Sequence, residues 1–597
     1  ETSEAKTCNW KIKYYKGLGT SNDQESKEYF KQMKKVTYIY DENSDEVIDL
    51  AFNKKRADDR KLWLQDYDKD RVLDYSKKNV DYKSFVDKEL IHFSNRDLQR
   101  SINHICDGLK ESTRKILYAC FKRKLYTNEI KVAQLSGYVS EVSAYHHGEA
   151  SLQQAIVGMA QIFVGTNNIN LLSPNGQFGS RCQGGQDASS PRYIFTLLSK
   201  LTRMIFKEED NIILKYQDDD GQQIEPEYYI PIIPMILVNG GIGIGTGYST
   251  NIPQYNPSEI IDTCKLICNV IKSSKINVKK EEDLEMVYDT LSAMELDNNI
   301  PYYLGFKGTI EKAEKNSYIS KGVYRWLDDQ TVEITELPIG TWTEDYKDFL
   351  ETMITNGMNN LKYIENHYTS KNVRFVLHFN TSVKSKLDGK FETLFKLASS
   401  KNLSINNIHL FSCEGAIQRY ESTSEIIKEW AETRILKYFE RKMYQIKIME
   451  KDAKVLSNKM RFILDVIAGK IQIMNKKLVD IIARLVELKY PPIDTEGDSD
   501  DTGDDEVSSK KVQQYNYLLK LPISQLTYDR KVILEKELAA LEAKLKALKD
   551  TNIEDLWLND LSELEKAWIQ NKEHIITDYE NDLKGIVESK VAKKKKK

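Results

Sequence analysis

Two side chains in SSPRYIFTLLSK, residues 189–200, carry groups that could react: the guanidinium of Arg192 and the phenol of Tyr193. A proline precedes them and an apolar run follows. Tyrosines at the head of an apolar run are usually core aromatics, so position alone favours a packing role, and the surroundings must decide. Those surroundings suit phosphate. In DGLKESTRKILYACFKRK (107–124) basic and apolar positions interleave at helical spacing. Ile116, Leu117 and Cys120 are expected to pack while Lys110 and Arg114 face outward. KVAQLSGYVSEVSAYHHGEASLQQAIVGMAQIF (131–163) reads as a short helix, a glycine turn and a second amphipathic helix starting near Gly148. Such a helix-turn-helix places its second helix in a DNA groove. His146 and His147 stand at the entry to that helix, where backbone N–H groups favour phosphate. No further residues at ligand spacing make them a metal site.

The loop SPNGQFGSRCQGGQDASSPRYIF (173–195) adds the charges of Arg181 and Arg192. In YYIPIIPMILVNGGIGIGTGYS (228–249) the glycines do not fit GxGxxG, since the third position falls on Tyr248 or Thr246. Glycines allow close backbone approach, and Ile244 is presented among them.

The elements that must position these groups fall into four regions. Residues 1 to about 45 are short, strand-like and rich in Tyr and Lys. Residues 50–205 read as mostly helical with glycine punctuation. Residues 206–410 turn to short β-type runs such as VRFVLHF and TVEITEL. Residues 415–590 read as long helices. There Leu534, Leu538, Leu541, Leu545 and Leu548 form a heptad seam, matched upstream by Met449, Ala453, Leu456, Met460, Ile463 and Ile467. An antiparallel pair of arms follows from the two stripes, with 417–467 as one helix of about 75 Å. An ordinary helical bundle is the alternative.

Composition bounds the rest. A chain of 597 residues with 40% hydrophobic content has room for roughly four domains. No apolar run reaches the length of a membrane span, and the first residues lack the features of a signal peptide. Seven scattered cysteines show no zinc spacing and suit a reducing compartment. The net charge of −3 is unevenly spread: residues 96–131 hold nine Lys/Arg against four Asp/Glu, while the charges of 494–506 are all acidic. A basic face can bind phosphates despite a near-neutral total. The acidic stretch lacks apolar content and is expected to be a disordered loop. Its resemblance to a calcium loop fails at the twelfth position, Ser509.

The motifs KYYKGLGT, DDRK, DGLK, YHHGE, NGQFG, SPRYIF, YYIPIIPM and GIGTG occur in the order found in eukaryotic type II DNA topoisomerases. The resemblance runs from about residue 10 to the helical arms near 590. It implies a multidomain α+β fold: a winged-helix (helix-turn-helix) domain, an α/β tower domain, and long antiparallel coiled-coil arms with a helical dimer gate. On this basis residues 1–45 are the C-terminal remnant of a TOPRIM domain and 46–205 a linker and winged-helix domain. Residues 206–414 are the tower, and 415–597 the arms and gate with a disordered loop over 494–509. The resemblance makes Tyr193 the nucleophile, Arg192 the transition-state stabiliser and His147 a histidine near the scissile phosphate. Arg60, Lys61, Lys110 and Tyr145 become DNA contacts, with Arg114 and His146 beside them, and Ile244 a wedge that bends DNA. It implies a nuclear enzyme, a homodimer on double-stranded DNA, using Mg2+ and ATP.

Two departures qualify that reading. No ATPase domain is present, and the acidic motifs that hold Mg2+ in the family lie upstream of KYYKGLGT. The run Asp66, Asp68, Asp70 stands downstream and is followed by Arg71 in place of glycine; it reads as a solvated helical face. The chain is thus expected to be a fragment carrying neither the metal nor the ATP site. A non-catalytic DNA-binding and dimerisation scaffold is the alternative function. A tyrosine recombinase is disfavoured because no cluster of catalytic basic motifs is evident.

Overall fold

The computed structural model describes residues 20–33, 35–276, 278–314, 316–387, 389–401, 403–493, 506–522 and 525–594. The chain forms two compact units. One comprises residues 1–101 with 244–249, the other 102–243 with 250–597.

Among the described residues of the first unit, Asp23–Lys31 is a helix where the sequence suggested strand. Asn22 accepts from the Glu25 amide while the Glu25 carboxylate accepts from the Asn22 amide. That reciprocal cap starts a helix whatever the aromatic content downstream. Among the described residues here, only Thr37–Ile39 is strand, paired in parallel with Asn79–Asp81. Helices Ser44–Phe52, Ala57–Gln65 and Ile91–Ser101 close over a small core of Val47, Leu64, Val80, Val86, Ile91 and Leu98.

In the second unit, helices Glu111–Lys122, Val132–Val142 and Glu149–Ala160 pack together. A three-stranded antiparallel sheet accompanies them, with Phe195–Leu198 between Ile130–Lys131 and Leu172–Asn175. The helix, turn and second helix after Gly148 fall where the sequence places them. The polar loop between Leu172–Asn175 and Phe195–Leu198 closes on itself. A Cβ on Gly179 would stand 2.6 Å from Gly185 backbone, and Gly179 has φ of +92°, so only glycine fits.

The β-type runs of the middle region are strands. Val323–Asp328, Thr331–Glu336, Phe375–Phe379 and Leu361–Asn366 make a four-stranded antiparallel sheet in that order. Helix Thr343–Thr355 covers it through Tyr346, Leu350 and Met353 over Val332, Ile334, Phe375 and Leu377. The region is not purely β, for Pro257–Ser273 and Leu284–Ala293 are helices.

The long helix spans Thr423–Ile467, 45 residues and about 68 Å. It starts later than the pattern suggested, because Ile417–Tyr420 pairs with Ile408–Phe411 and Ser422 caps the helix through the Glu425 amide. Helix Tyr528–Asp550 returns along it: Lys549 bridges to Glu450 at 2.6 Å, and Lys442 donates to the Thr551 carbonyl. Helix Ile553–Lys594 completes the return. Most of the leucine seam is half-buried, with Leu534 fully so, as two helices side by side leave each flank open. Far along the pair, Phe462, Ile471, Leu485, Tyr490, Tyr515 and Leu518 form a separate small core. Of the stretch 494–509, residues 494–505 lie outside the described residues, and Glu506 begins the helix Glu506–Leu519. No described helix is long and apolar enough to cross a membrane.

Candidate nucleic-acid interface

Tyr193 is not a core aromatic. Its side chain is 76% exposed, although the next residue, Ile194, is buried at 2%. The pair Arg192–Tyr193 sits on a turn, closed by the Tyr193 amide donating to the Ser190 carbonyl at 2.9 Å. That turn is held on both sides. Ala133 donates to the Pro191 carbonyl and Val132 to the Ile194 carbonyl, each at 3.0 Å. The head of helix Val132–Val142 therefore fixes the backbone while two side chains of complementary chemistry face solvent. Arg192 is exposed too, and no described residue takes its guanidinium in an ion pair.

The histidines lie in the turn between the two helices. His146 and His147 are exposed. His147 meets the Tyr145 ring edge-on at 5.4 Å, and His146 stands 3.8 Å from Asp219. Gly148 is the N-cap of helix Glu149–Ala160, so the turn delivers both imidazoles to a helix N-terminus, which favours anions.

Lys110 and Arg114, expected to face outward together, part company. Lys110 precedes helix Glu111–Lys122, and its ammonium donates to the Ile242 carbonyl at 2.7 Å. Partial burial holds its pKa below the ordinary lysine value. It borders a cleft of about 660 Å3 lined also by Asn103, Gly240, Gly241 and Trp342. Arg114, by contrast, is buried at 7%. Its Nε and Nη2 reach the two oxygens of Asp107 at 2.7 and 3.1 Å, and Nη2 also reaches the Leu109 carbonyl. Burial opposes its charge, and Asp107 outweighs that and keeps the pKa above the usual arginine value. Arg114 is thus a structural cation rather than an outward DNA contact. The helical-face argument fails because residues 114–121 are all buried.

Ile244 is 79% exposed, on a hairpin of Gly241–Ile244 and Ser249–Ile252. The turn is fixed within the first unit. Asp97 accepts from the Thr246 amide and hydroxyl, and Gly245 donates to the Tyr248 carbonyl. Arg60 and Lys61 belong to the same unit. Arg60 is half-buried and donates to the Leu50 and Asn53 carbonyls at 3.0 and 2.7 Å. Lys61 pairs with Asp58 at 2.9 Å and lies 5.8 Å over the Tyr248 ring. Arg60 therefore also ties down the end of helix Ser44–Phe52.

Arg181, the other cation of the loop, is buried against Glu336. Sequence reasoning missed Asp107, which is fully buried and accepts from Arg114, the Leu109 amide and the Tyr229 amide. The signal available was an acid just before a glycine and a helix start. It also missed Asp187, which accepts from the Ser180 amide and hydroxyl and braces the loop before Tyr193. Among the described residues no group of His, Cys, Asp and Glu has metal-binding geometry. In the Asp66–Asp70 run, the Asp68 carboxylate accepts from the Asp70 amide, as in a turn.

An exposed tyrosine–arginine turn braced by a helix pair, on an α+β chain with long paired helices, has a known counterpart. The chain belongs to the A-subunit family of DNA gyrase/topoisomerase IV, whose model covers residues 100–562. Residues 1–98 match the C-terminal associated domain of TOPRIM. Among particular proteins, it is 43% identical over 582 residues to DNA topoisomerase 2 of Plasmodium falciparum, covering 94% of this chain and 40% of that protein. It is 41% identical over 596 residues to DNA topoisomerase 2 of Arabidopsis thaliana, covering 95% and 39%. The chain thus spans about two-fifths of the length of these curated relatives. A crystal structure of the Plasmodium falciparum topoisomerase II DNA-binding, cleavage and re-ligation domain superposes with a TM-score of 0.79 at 41% identity. That match covers 96% of this chain and 76% of the other.

Proposed function

We propose that this chain is the DNA breakage–reunion core of a type II topoisomerase, with Tyr193 as the nucleophile. The observation that carries the reading is the 76% exposure of Tyr193 beside buried Ile194, on a turn whose backbone is pinned on both sides. The phenol oxygen attacks a backbone phosphorus of duplex DNA and the deoxyribose oxygen leaves. A 5′-phosphotyrosyl bond conserves the energy for resealing. A phenol of pKa ~10 is a weak nucleophile until a neighbour takes its proton or stabilises the phenolate. Arg192 clamps the phosphoryl oxygens as charge builds on them. His147, with Tyr145 against its ring, lies near the scissile phosphate, and His146 flanks it. Lys61, Lys110 and the remaining donors of Arg60 hold phosphates along the duplex, and Ile244 wedges between bases and bends it.

In this reading residues 46–205 form the linker and winged-helix domain, 206–414 the tower, and the long helices a pair of coiled-coil arms. The small core around Phe462 and Leu518 sits at a gate where two copies meet, so that two Tyr193 residues serve two strands. Activity on duplex DNA inside the nucleus, with ATP and Mg2+, belongs to the whole enzyme. Among the described residues, no group of His, Cys, Asp and Glu fits a Mg2+ site.

The test is Tyr193→Phe in an enzyme preparation that relaxes plasmid DNA. DNA affinity should be nearly unchanged, and protein–DNA adducts on denaturing gels should vanish. Adducts that persist would overturn the assignment. Sedimentation should give twice the 69.2 kDa chain mass; a monomer at micromolar concentration would remove the gate.

A further inference from the structure

Cys106 and Cys413 lie 307 positions apart in sequence, yet their Sγ atoms are 2.7 Å apart. The backbone around them is already joined. Ile105 donates to the Phe411 carbonyl at 2.9 Å and Phe411 donates to the Asn103 carbonyl at 3.0 Å. The two sulfurs therefore meet across a short strand-like pairing, and need to close by only about 0.7 Å to reach a bonded S–S distance of ~2.05 Å.

The two thiols are not equivalent. Cys106 is buried at 1%, while Cys413 is half-buried, in the turn between strands Ile408–Phe411 and Ile417–Tyr420. Cys413 sulfur lies within hydrogen-bond reach of Cys106 sulfur and accepts from the Thr433 hydroxyl at 2.9 Å. The Cys106 hydrogen bond, with that of Thr433, holds the Cys413 thiol below its ordinary range, although burial and the charges of Glu429 and Glu432 oppose it. Burial pushes the Cys106 thiol well up. One partly accessible thiol, its pKa lowered, beside one buried thiol is the arrangement of an attacking and a resolving cysteine.

We propose that Cys106 and Cys413 are a redox modification site that closes to a reversible disulfide on exposure to a hydroperoxide. Cys413 sulfur attacks a peroxide oxygen; the S–O bond forms, the O–O bond breaks, and the leaving oxygen departs as water. The resulting Cys413 sulfenic acid is attacked by Cys106 sulfur, and the sulfenic oxygen leaves as a second water carrying the Cys106 proton. Two thiols and one hydrogen peroxide thus give one disulfide and two waters. A dithiol reductant reverses the bond by exchange.

The cross-link has a structural consequence. Cys106 opens the segment Asp107–Lys110, and its carbonyl already accepts from the Trp430 indole at 3.1 Å. Oxidation would clamp this segment, the lead-in to Lys110, onto the turn that precedes the long helix. Any effect on DNA rests on the function proposed above; formation of the bond does not.

The experiment treats the folded chain with equimolar hydrogen peroxide, blocks free thiols with an alkylating agent and digests it with trypsin without reduction. The expected result is a linked pair of peptides, 101–110 with 402–419, that separates on reduction. Alkylatable thiols should fall from the seven of the sequence by two. In Cys106→Ser, Cys413 should be trapped as a sulfenic acid by a 1,3-dione. Should Cys106→Ser fail to fold, the wild-type peptide map decides alone. The proposal is overturned if Cys106 and Cys413 are recovered separately alkylated, or if the linked pair involves other cysteines such as Cys264 and Cys268.

Discussion

Replacing Arg114 by methionine separates a structural cation from a DNA contact. The side chain is 7% exposed, and its partner Asp107 is fully buried. Arg114→Met removes the contacts at 2.7 and 3.1 Å and leaves the carboxylate with the Leu109 and Tyr229 amides at 2.9 and 3.0 Å. Breaking a buried pair from one side typically costs about 3–5 kcal/mol. The two surviving amide donors place this case near about 3 kcal/mol. For a cooperative unit of ordinary size, that corresponds to a fall of about 6–12 °C in melting midpoint. Adding Asp107→Asn should recover part of the loss by removing the stranded charge; the Leu109 and Tyr229 amides donate to different oxygens of Asp107, so the single carbonyl oxygen of Asn keeps one of those two bonds. Thermal melts of the two single variants and the double variant supply the cycle. DNA affinity measured against salt should keep the slope of the parent. A melting point within a degree of the parent, with a slope shallower by about one, would refute the burial argument and return Arg114 to the DNA path.

Lys110→Ala should weaken binding to all sequences alike and reduce the slope of log affinity against log salt by about one, as measured by fluorescence anisotropy. Ile244→Ala should reduce the bend of a short duplex, read by energy transfer between its ends, with little change in that slope. The pH dependence of stability has a marker in His104, whose ring stacks on Tyr228 at 4.6 Å and whose pKa burial lowers from 6.5 to about 4. The unfolded chain takes up this proton first, so the contribution is complete above pH 6.5 and is lost as pH falls toward 4. It amounts to at most about 3 kcal/mol, and less because part of the ring remains accessible. His104→Phe should flatten that part of the stability profile in urea melts.

What could be read from the sequence was what local chemistry dictates. The Pro-Arg-Tyr turn, the helix pair meeting near Gly148, the VRFVLHF and TVEITEL strands and the leucine seam all follow from spacing and propensity. What escaped depends on partners far along the chain or on caps. Arg114 looked like a surface base because the helix carrying it was taken as half-buried, whereas its basic residues are paired inside: Arg114 with Asp107, and Lys115 with Glu225 at 2.7 Å. The strand Ile417–Tyr420 looked like the start of the long helix, since only its pairing with Ile408–Phe411 separates the two. Arg60 presents as a free base in DDRK, but its bonds to the Leu50 and Asn53 carbonyls depend on where the preceding helix ends. Exposure of Tyr193 was likewise beyond pattern, because it rests on the backbone bonds from Val132 and Ala133.

The proposed chemistry joins one tyrosine of the 34 in the sequence covalently to DNA. The direct measurement is to trap the adduct between a relaxation-competent preparation and 3′-labelled duplex fragments, digest both components, and locate the nucleotide by mass spectrometry. The expected result is a single nucleotide-bearing peptide, the one containing Tyr193, with the phosphate on its phenolic oxygen. A nucleotide on any other residue, with Tyr193 recovered unmodified, would contradict it.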